Sequence, residues 1–319
     1  MNQTKGKVAC VGGGLIGRSW ALVFARAGYA VSVFDRDDAI AAAALSFAGE
    51  MLPALGEEDL LEGQEPAAVS ARITLAESLE AALDGAMHVQ ESTPENLEVK
   101  CGVFAELDRL ADKETILASS TSALLPSSFT EGLAGRARCL VVHPINPPYL
   151  VPAAELVPAP WTEAAAVQRT QSFLEDCGMA PIVMQRELDG FVMNRMQGAL
   201  LEEAFRLVEQ GYANIEDVDV GIREGLALRW SFMGPFETID LNAPGGVRDY
   251  VERYEPIYRR IHPSTLQRVE WLGPVMERIE SERRARLPKE GLAGRQAWRD
   301  RRLMALAAHK RRAKRRLGE

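Results

Sequence analysis

The sequence predicts the α/β class: a doubly wound, mostly parallel sheet in the first half, followed by an all-helical second half. Three observations carry that expectation. Short β-branched runs alternate with helix-period stretches, a glycine-rich turn joins the first run to the first helix, and no strand pattern recurs after Gly190. Parallel neighbours need a long return connection, which is why strands and helices alternate in such folds.

Residues 8–11 read as a strand and residues 18–27 as a helix stopped by Gly28. Residues 31–34 are the second strand, with further strands expected at 87–90, 116–119, 139–143 and 181–184. Between them, 97–111 and 162–177 repeat apolar residues at helical spacing. The Ala-, Leu- and Glu-rich stretch 41–83 reads as two helices around a loop near 56–66. One long helical pattern covers 191–210 and ends at Gly211, and segments broken by Gly and Pro follow it. The expected domains are therefore 1–187, an α/β domain, and 188–319, a helical domain ending in a basic helix.

With 319 residues, 47% hydrophobic and 26% charged, the chain can build two ordinary cores. No apolar run of the roughly 18–20 residues that cross a bilayer is expected. Residues 1–7 are polar and lead straight into a strand, so no secretory signal is expected. Cys10, Cys101, Cys139 and Cys177 show no paired spacing, which fits reduced thiols and a cytoplasmic location. His88, His143, His262 and His309 do not stand at ligand spacing, so no metal site is expected. The net charge of −8 hides a basic end: residues 283–316 hold 14 Lys/Arg against Glu290 and Asp300. Without a nucleic-acid motif beside it, this end reads as a solvated helix docking on acidic surface, its own or a partner's. Neither nucleic acid nor membrane is expected as a partner.

Gly12-Gly13-Gly14-Leu15-Ile16-Gly17 fits G-x-G-x-x-G and sits between a strand and a helix, the context that makes the motif specific. Gly12 permits the tight turn, Gly14 lets backbone approach a pyrophosphate, and Gly17 lets helix pack on strand. Asp35 closes the second strand 18 residues after Gly17, placed to accept two ribose hydroxyls and to repel a 2′-phosphate. The reading is a Rossmann-type domain for NAD, with Arg36 leaving NADP open. Ser122 follows a strand in a run of hydroxyl residues, which at strand ends commonly just cap the next turn. A lone histidine is more often a satisfied packing residue than a catalyst, but His143 ends a strand, where open α/β sheets hold ligands. Glu155, flanked by apolar residues, needs a partner if buried, and an imidazole would serve. Asn194, in the first turn of the long helix, reads equally as a solvated residue.

Residues 12–20, 90–100, 119–126, 143–158, 190–211, 224–242 and 295–304 resemble the 3-hydroxyacyl-CoA dehydrogenase family, in its lambda-crystallin (L-gulonate 3-dehydrogenase) branch. Gly17-Arg18-Ser19-Trp20, His143-Pro144-Ile145-Asn146-Pro147-Pro148-Tyr149 and Gln296-Ala297-Trp298-Arg299-Asp300 are the most specific matches. The resemblance implies a catalytic Ser122, His143, Glu155 and Asn194. It also implies cofactor contacts at Leu15, Ile16, Asp35, Glu95, Lys100 and Asn146, and a homodimer formed by the helical domain. Oxidising a secondary alcohol removes a proton from oxygen and a hydride from carbon, so an imidazole held by a carboxylate suits the proton step. Arg229, which the branch matches with an arginine, is a candidate to bind a substrate carboxylate, with a surface arginine the competing reading. Residues 39–83 contain one basic residue, Arg72, which is poor company for CoA phosphates. A small free 3-hydroxy acid, such as L-gulonate, a carnitine-like acid or a short 3-hydroxyalkanoate, is the first expectation. A hydroxyacyl-CoA enzyme and an NAD-binding protein without turnover are the alternatives.

Overall fold

A computed structural model describes residues 4–318 and divides into two compact units. One runs to Met193 and resumes at Trp298; the other is Asn194–Ala297.

The first unit is built on one eight-stranded sheet: β1 (Lys7–Val11), β2 (Ala30–Phe34), β3 (Ile73–Leu75), β4 (Ala86–Glu91), β5 (Ile116–Ser119), β6 (Cys139–Pro144), β7 (Ala153–Pro158) and β8 (Ala180–Val183). The spatial order is β3-β2-β1-β4-β5-β6-β7-β8. Every neighbouring pair is parallel except β6 and β7, which run antiparallel with His143 opposite Glu155. Strand order reverses between β1 and β4, and at such a switch point the carboxyl ends of the strands leave a crevice for ligand.

Side chains alternate between two cores because the strand period is two. Val8, Cys10, Val31, Val33, Leu140, Val142 and Leu156 fill one. Ala9, Val11, Val89, Leu117, Val141 and Val157 fill the other. On the first face, Trp20 and Phe24 of helix Leu15–Arg26 stack at 5.2 Å, and Phe24 meets Phe173 at 5.2 Å. Truncating such a buried aromatic costs about 3–5 kcal/mol.

The stretch expected as two helices is a helix at Asp38–Glu57, a short one at Pro66–Ser70, the edge strand β3 and a last short helix at Leu79–Leu83. Helix Asp38–Glu57 also corrects an expectation. It has a window of mean hydropathy 1.5 and is long and apolar enough to cross a membrane by length and composition. Glu50 interrupts the run by eye without lowering its mean enough. Ala44, Ala48, Leu52 and Leu55 of this helix pack into the first core.

The chain end departs from the expected division at 188–319, since residues from Trp298 onward belong to the first unit. Helix Leu292–Leu317 buries Met304 and Ala308, one helical turn apart, in the first core. Its basic end docks on the chain's own acidic turn: Arg311 donates to the Asp59 carbonyl and pairs with Glu62 at 3.1 Å, and Arg315 reaches Asp59. The Tyr149 hydroxyl donates to Asp300 Oδ2 at 3.2 Å.

In the second unit no strand occurs among the described residues. Its small core gathers Val208, Val269 and Val275, with Phe205 stacked on Trp271 at 4.8 Å. Helix Gly246–Thr265 leaves Val247, Val251, Tyr254, Ile257, Tyr258 and Ile261 exposed.

Candidate active site

The glycine loop opens the site. Gly12 adopts φ +98°, and a Cβ there would stand 2.7 Å from the Ser92 backbone, so only glycine fits. A Cβ on Gly17 would collide with the Gly12 carbonyl, which explains the close packing of helix on strand. Around Gly14 the space within 4 Å of a Cβ is open. Gly14 also starts helix Leu15–Arg26 with neither a side-chain cap nor an acid in the first turn. The first N–H groups of that helix are thus left for an anion, as a dinucleotide pyrophosphate requires. Leu15 is half-exposed at the loop, while Ile16 packs against the core. Asp35, just beyond β2, accepts from the Gly13 amide at 2.8 Å through one oxygen and from the Asp37 amide at 3.0 Å through the other. Arg36 points to solvent and reaches Glu106 at 3.4 Å. These residues fit NAD.

Glu95, Lys100 and Asn146 take distinct places. Glu95 is exposed and its Oε1 accepts from the Thr121 hydroxyl and from the amides of Ser122 and Ala123, so it shapes the turn that carries Ser122. Lys100 is 1% exposed, and its ammonium spends its hydrogens on Glu91 at 2.7 and 2.9 Å and on the Thr93 carbonyl at 3.0 Å. Asn146 lies exposed in the loop after β6, beside the cis bond to Pro147.

The two antiparallel strands make the chemical centre. His143 and Glu155 face each other across the β6–β7 ladder, and side chains directly opposite in a pair share a face. Nδ1 of His143 lies 2.7 Å from Glu155 Oε2. The other oxygen, Oε1, accepts from the backbone amides of Val192 at 2.7 Å and Met193 at 2.8 Å. Glu155 is fully buried. Burial alone drives its carboxyl up, but the His143 hydrogen bond, the two amides and the imidazole's charge together hold it below the usual carboxylate range. An ionised Glu155 can only accept, so Nδ1 carries the proton and Nε2 is left as the basic nitrogen.

Ser122 is exposed at the turn after β5. Asn194 and Arg229 fall in the other unit. Asn194 is exposed in the first turn of helix Met193–Glu209. Arg229 is exposed in the short helix Ala227–Trp230, which follows a π-helical turn at Gly221–Leu226. It has no carboxylate partner among the described residues, and its charge reaches Tyr250.

Three features escaped the sequence reading. β7, which presents Glu155, was not expected as a strand. Nor was the buried brace under the crevice, where Glu91 at the end of β4 also accepts from Ser119 Oγ at 2.6 Å and from Thr93. One signal was available: Lys100, Val103, Phe104 and Leu107 share the buried face of helix Leu97–Leu110, so Lys100 had to point inward. The third is a hydroxyl–amide chain in which Gln90 Nε2 donates to Ser120 Oγ at 2.7 Å and to the Val142 carbonyl at 3.3 Å, and Ser120 meets Ser92 at 2.9 Å.

Comparison with known proteins gives the family. The 3-hydroxyacyl-CoA dehydrogenase NAD binding domain matches residues 7–188, and the C-terminal domain of that family matches 190–273. A lambda-crystallin homolog of Bos taurus is 43% identical over 309 residues, covering 96% of both chains. An L-carnitine dehydrogenase of Streptomyces griseus is 38% identical over 251 residues, covering 78% of this chain and 74% of that one. Among solved structures, an NAD+-dependent 5-formyl-3-hydroxy-2-methylpyridine 4-carboxylic acid 5-dehydrogenase superposes with a TM-score of 0.79 at 26% identity, over 95% of this chain and 97% of its own. The chain belongs to the 3-hydroxyacyl-CoA dehydrogenase family and is an NAD-dependent dehydrogenase acting on a CH–OH group.

Proposed function

We propose that the protein oxidises the 3-hydroxyl of a small free hydroxy acid to the 3-keto acid, with His143 as general base. The observation that carries this reading is the state of the dyad: Glu155, held ionised, fixes the Nδ1 proton of His143 and leaves Nε2 to take the hydroxyl proton. NAD, held by Gly12, Gly14, Leu15, Ile16, Gly17 and Asp35, supplies the acceptor for the hydride that leaves carbon. Glu155 then stabilises the imidazolium that His143 becomes, and in the reverse direction His143 returns the proton. Ser122 and Asn194 are assigned to hydrogen-bond the reacting oxygen, Ser122 on a turn that Glu95 shapes. Glu95, Lys100 and Asn146 are assigned to the cofactor side, Lys100 through the brace it forms with Glu91.

Two features favour a free acid over a thioester. Arg229 is exposed and without a carboxylate partner, as a residue that grips a substrate carboxylate must be before binding. Residues 39–83 are acidic and hold only Arg72, whose guanidinium is engaged by Gln64 and the Ala25 carbonyl. An L-gulonate-like acid, a carnitine-like acid or a short 3-hydroxyalkanoate fits this chemistry. NADH formation across a panel of 3-hydroxy acids and hydroxyacyl-CoAs tests it. At least one free acid should give the highest kcat/KM, and Arg229→Ala should raise its KM about 10- to 100-fold at nearly unchanged kcat. Thioesters outperforming every free acid would overturn the substrate class.

A homodimer completes the proposal. The exposed apolar face of helix Gly246–Thr265, with Phe232, Phe236 and Leu272 also exposed, is the kind of surface a partner subunit covers. Sedimentation at micromolar concentration should give twice the chain mass; a monomer would refute it.

A further inference from the structure

Among the described residues outside glycine, Asp59, Glu62 and Phe191 have a positive φ. The first two stand in the surface turn that receives the basic helix. Phe191 is different: it is fully buried, bulky, and at φ +49° follows Gly190 at φ +75°. Two left-handed residues in succession are sterically disfavoured unless the surroundings hold them, and an outlier of this kind is a pointer to function.

Its surroundings are the dyad. The Phe191 amide closes a turn onto the Leu188 carbonyl at 2.9 Å. The next two amides, Val192 and Met193, converge on Glu155 Oε1. The Phe191 ring meanwhile stands 5.6 Å from the imidazole of His143, tilted by 51°. One residue therefore touches the base through its ring and aims the groups that hold the base's carboxylate through its backbone. Returning Phe191 to an ordinary φ would swing both amides off Oε1.

We propose that Phe191 is a positioning residue for the His143–Glu155 pair: its ring seats the imidazole and keeps water from Glu155, and its left-handed backbone supplies the two-amide cradle. The inference rests on His143 being the base. It goes further, assigning to a residue that bears no polar side-chain atom the geometry on which the proton transfer depends.

Two variants separate ring from backbone. Phe191→Gly keeps the left-handed turn and removes the ring; Phe191→Leu keeps apolar bulk. For F191G, kcat should fall about 30-fold while the KM values for NAD and substrate move less than about threefold, the signature of misplaced chemistry rather than lost binding. The Nδ1 proton of His143, followed by NMR in 15N-labelled protein, should exchange with water at least about tenfold faster than in the parent, because the pair is no longer shielded. F191L, with apolar bulk of the wrong shape, should fall between the two: kcat about two- to fivefold below the parent, and exchange faster than in the parent but slower than in F191G. If F191G does not fold, F191L alone decides: a drop in kcat of about two- to fivefold with a matching rise in proton exchange supports the proposal, and no change in either overturns it. Unchanged kcat and unchanged exchange in folded F191G also overturn it. The exchange readout does not depend on turnover, so it judges Phe191 even if a separate His143 variant shows that another group is the base.

Discussion

Two buried carboxylates in the same sheet meet opposite fates. Glu91, at the end of β4, and Glu155, on β7, are both fully buried, and both use both oxygens as acceptors. Glu91 faces the ammonium of Lys100, which is itself buried and has all its hydrogens engaged. Glu155 faces an imidazole that keeps 7% of its surface exposed and has a second nitrogen to spare. The same physics, a carboxylate taken out of water, gives a rigid brace when the counter-group is a saturated ammonium. It gives a proton-handling pair when the counter-group is an imidazole whose second nitrogen is left to take up a proton.

The comparison can be broken first at Glu155. Glu155→Gln removes the anion that fixes the tautomer, so kcat should fall about 10²- to 10⁴-fold while NADH affinity, measured by fluorescence titration, holds. Loss of NADH binding instead would make Glu155 part of the cofactor frame. The parallel cut at the brace should act on folding. Lys100→Met leaves Glu91 buried and uncompensated, which costs about 3–5 kcal/mol in urea unfolding. If K100M lowers kcat as far as E155Q while remaining folded, the distinction between brace and reactive pair fails.

The first core supplies a smaller, pH-dependent effect. Burial pushes the His88 imidazole down to about 4, against the one hydrogen bond that it donates to Gln90 Oε1, which raises it. Its native state prefers the neutral ring, so its contribution is complete above the unfolded value of about 6.5 and is lost as pH falls from there toward 4. The loss from this group is roughly 1 kcal/mol at pH 5.5 and about 3 kcal/mol near pH 4. His88→Leu should flatten the stability profile over that window; an unchanged profile would contradict the assignment. Glu155 acts lower on the scale. With its carboxyl held below the usual range, its contribution stands above the unfolded value of about 4.3 and drains as pH drops through the native one. The smallest effect is expected where the C-terminal helix is tied down. Tyr149→Phe removes one hydrogen bond to Asp300 and should cost about 1–2 kcal/mol, read as a Tm lower by a few degrees.

The reactive pair was more legible in the sequence than the brace, for physical reasons. The glycine loop announces itself because only glycine tolerates φ +98° beside the Ser92 backbone. β1, β2, β5 and β6 announce themselves by apolar runs, since strands buried on both faces have few polar residues to spare. β7 did not, because Ala153-Ala154-Glu155-Leu156-Val157-Pro158 lacks a β-branched run and ends in proline. Its pairing with β6 is a matter of register across a loop, which local pattern does not encode. The brace was hidden for another reason: helical spacing with Val103, Phe104 and Leu107 turns Lys100 inward, but no local pattern names its partner at the end of β4. The basic end was expected to dock on acidic surface, but the return of its helix to the first unit was hidden, since only Met304 and Ala308 mark its buried side.

The most direct test of the account is His143→Gln, which keeps the ring's hydrogen-bonding volume and removes its basicity. NADH binding by titration and NADH formation in a single turnover should be measured on the same preparation. Binding within about twofold of the parent, with turnover down by about 10³-fold or more, is the predicted result. Turnover within about threefold of the parent would contradict it and require another base.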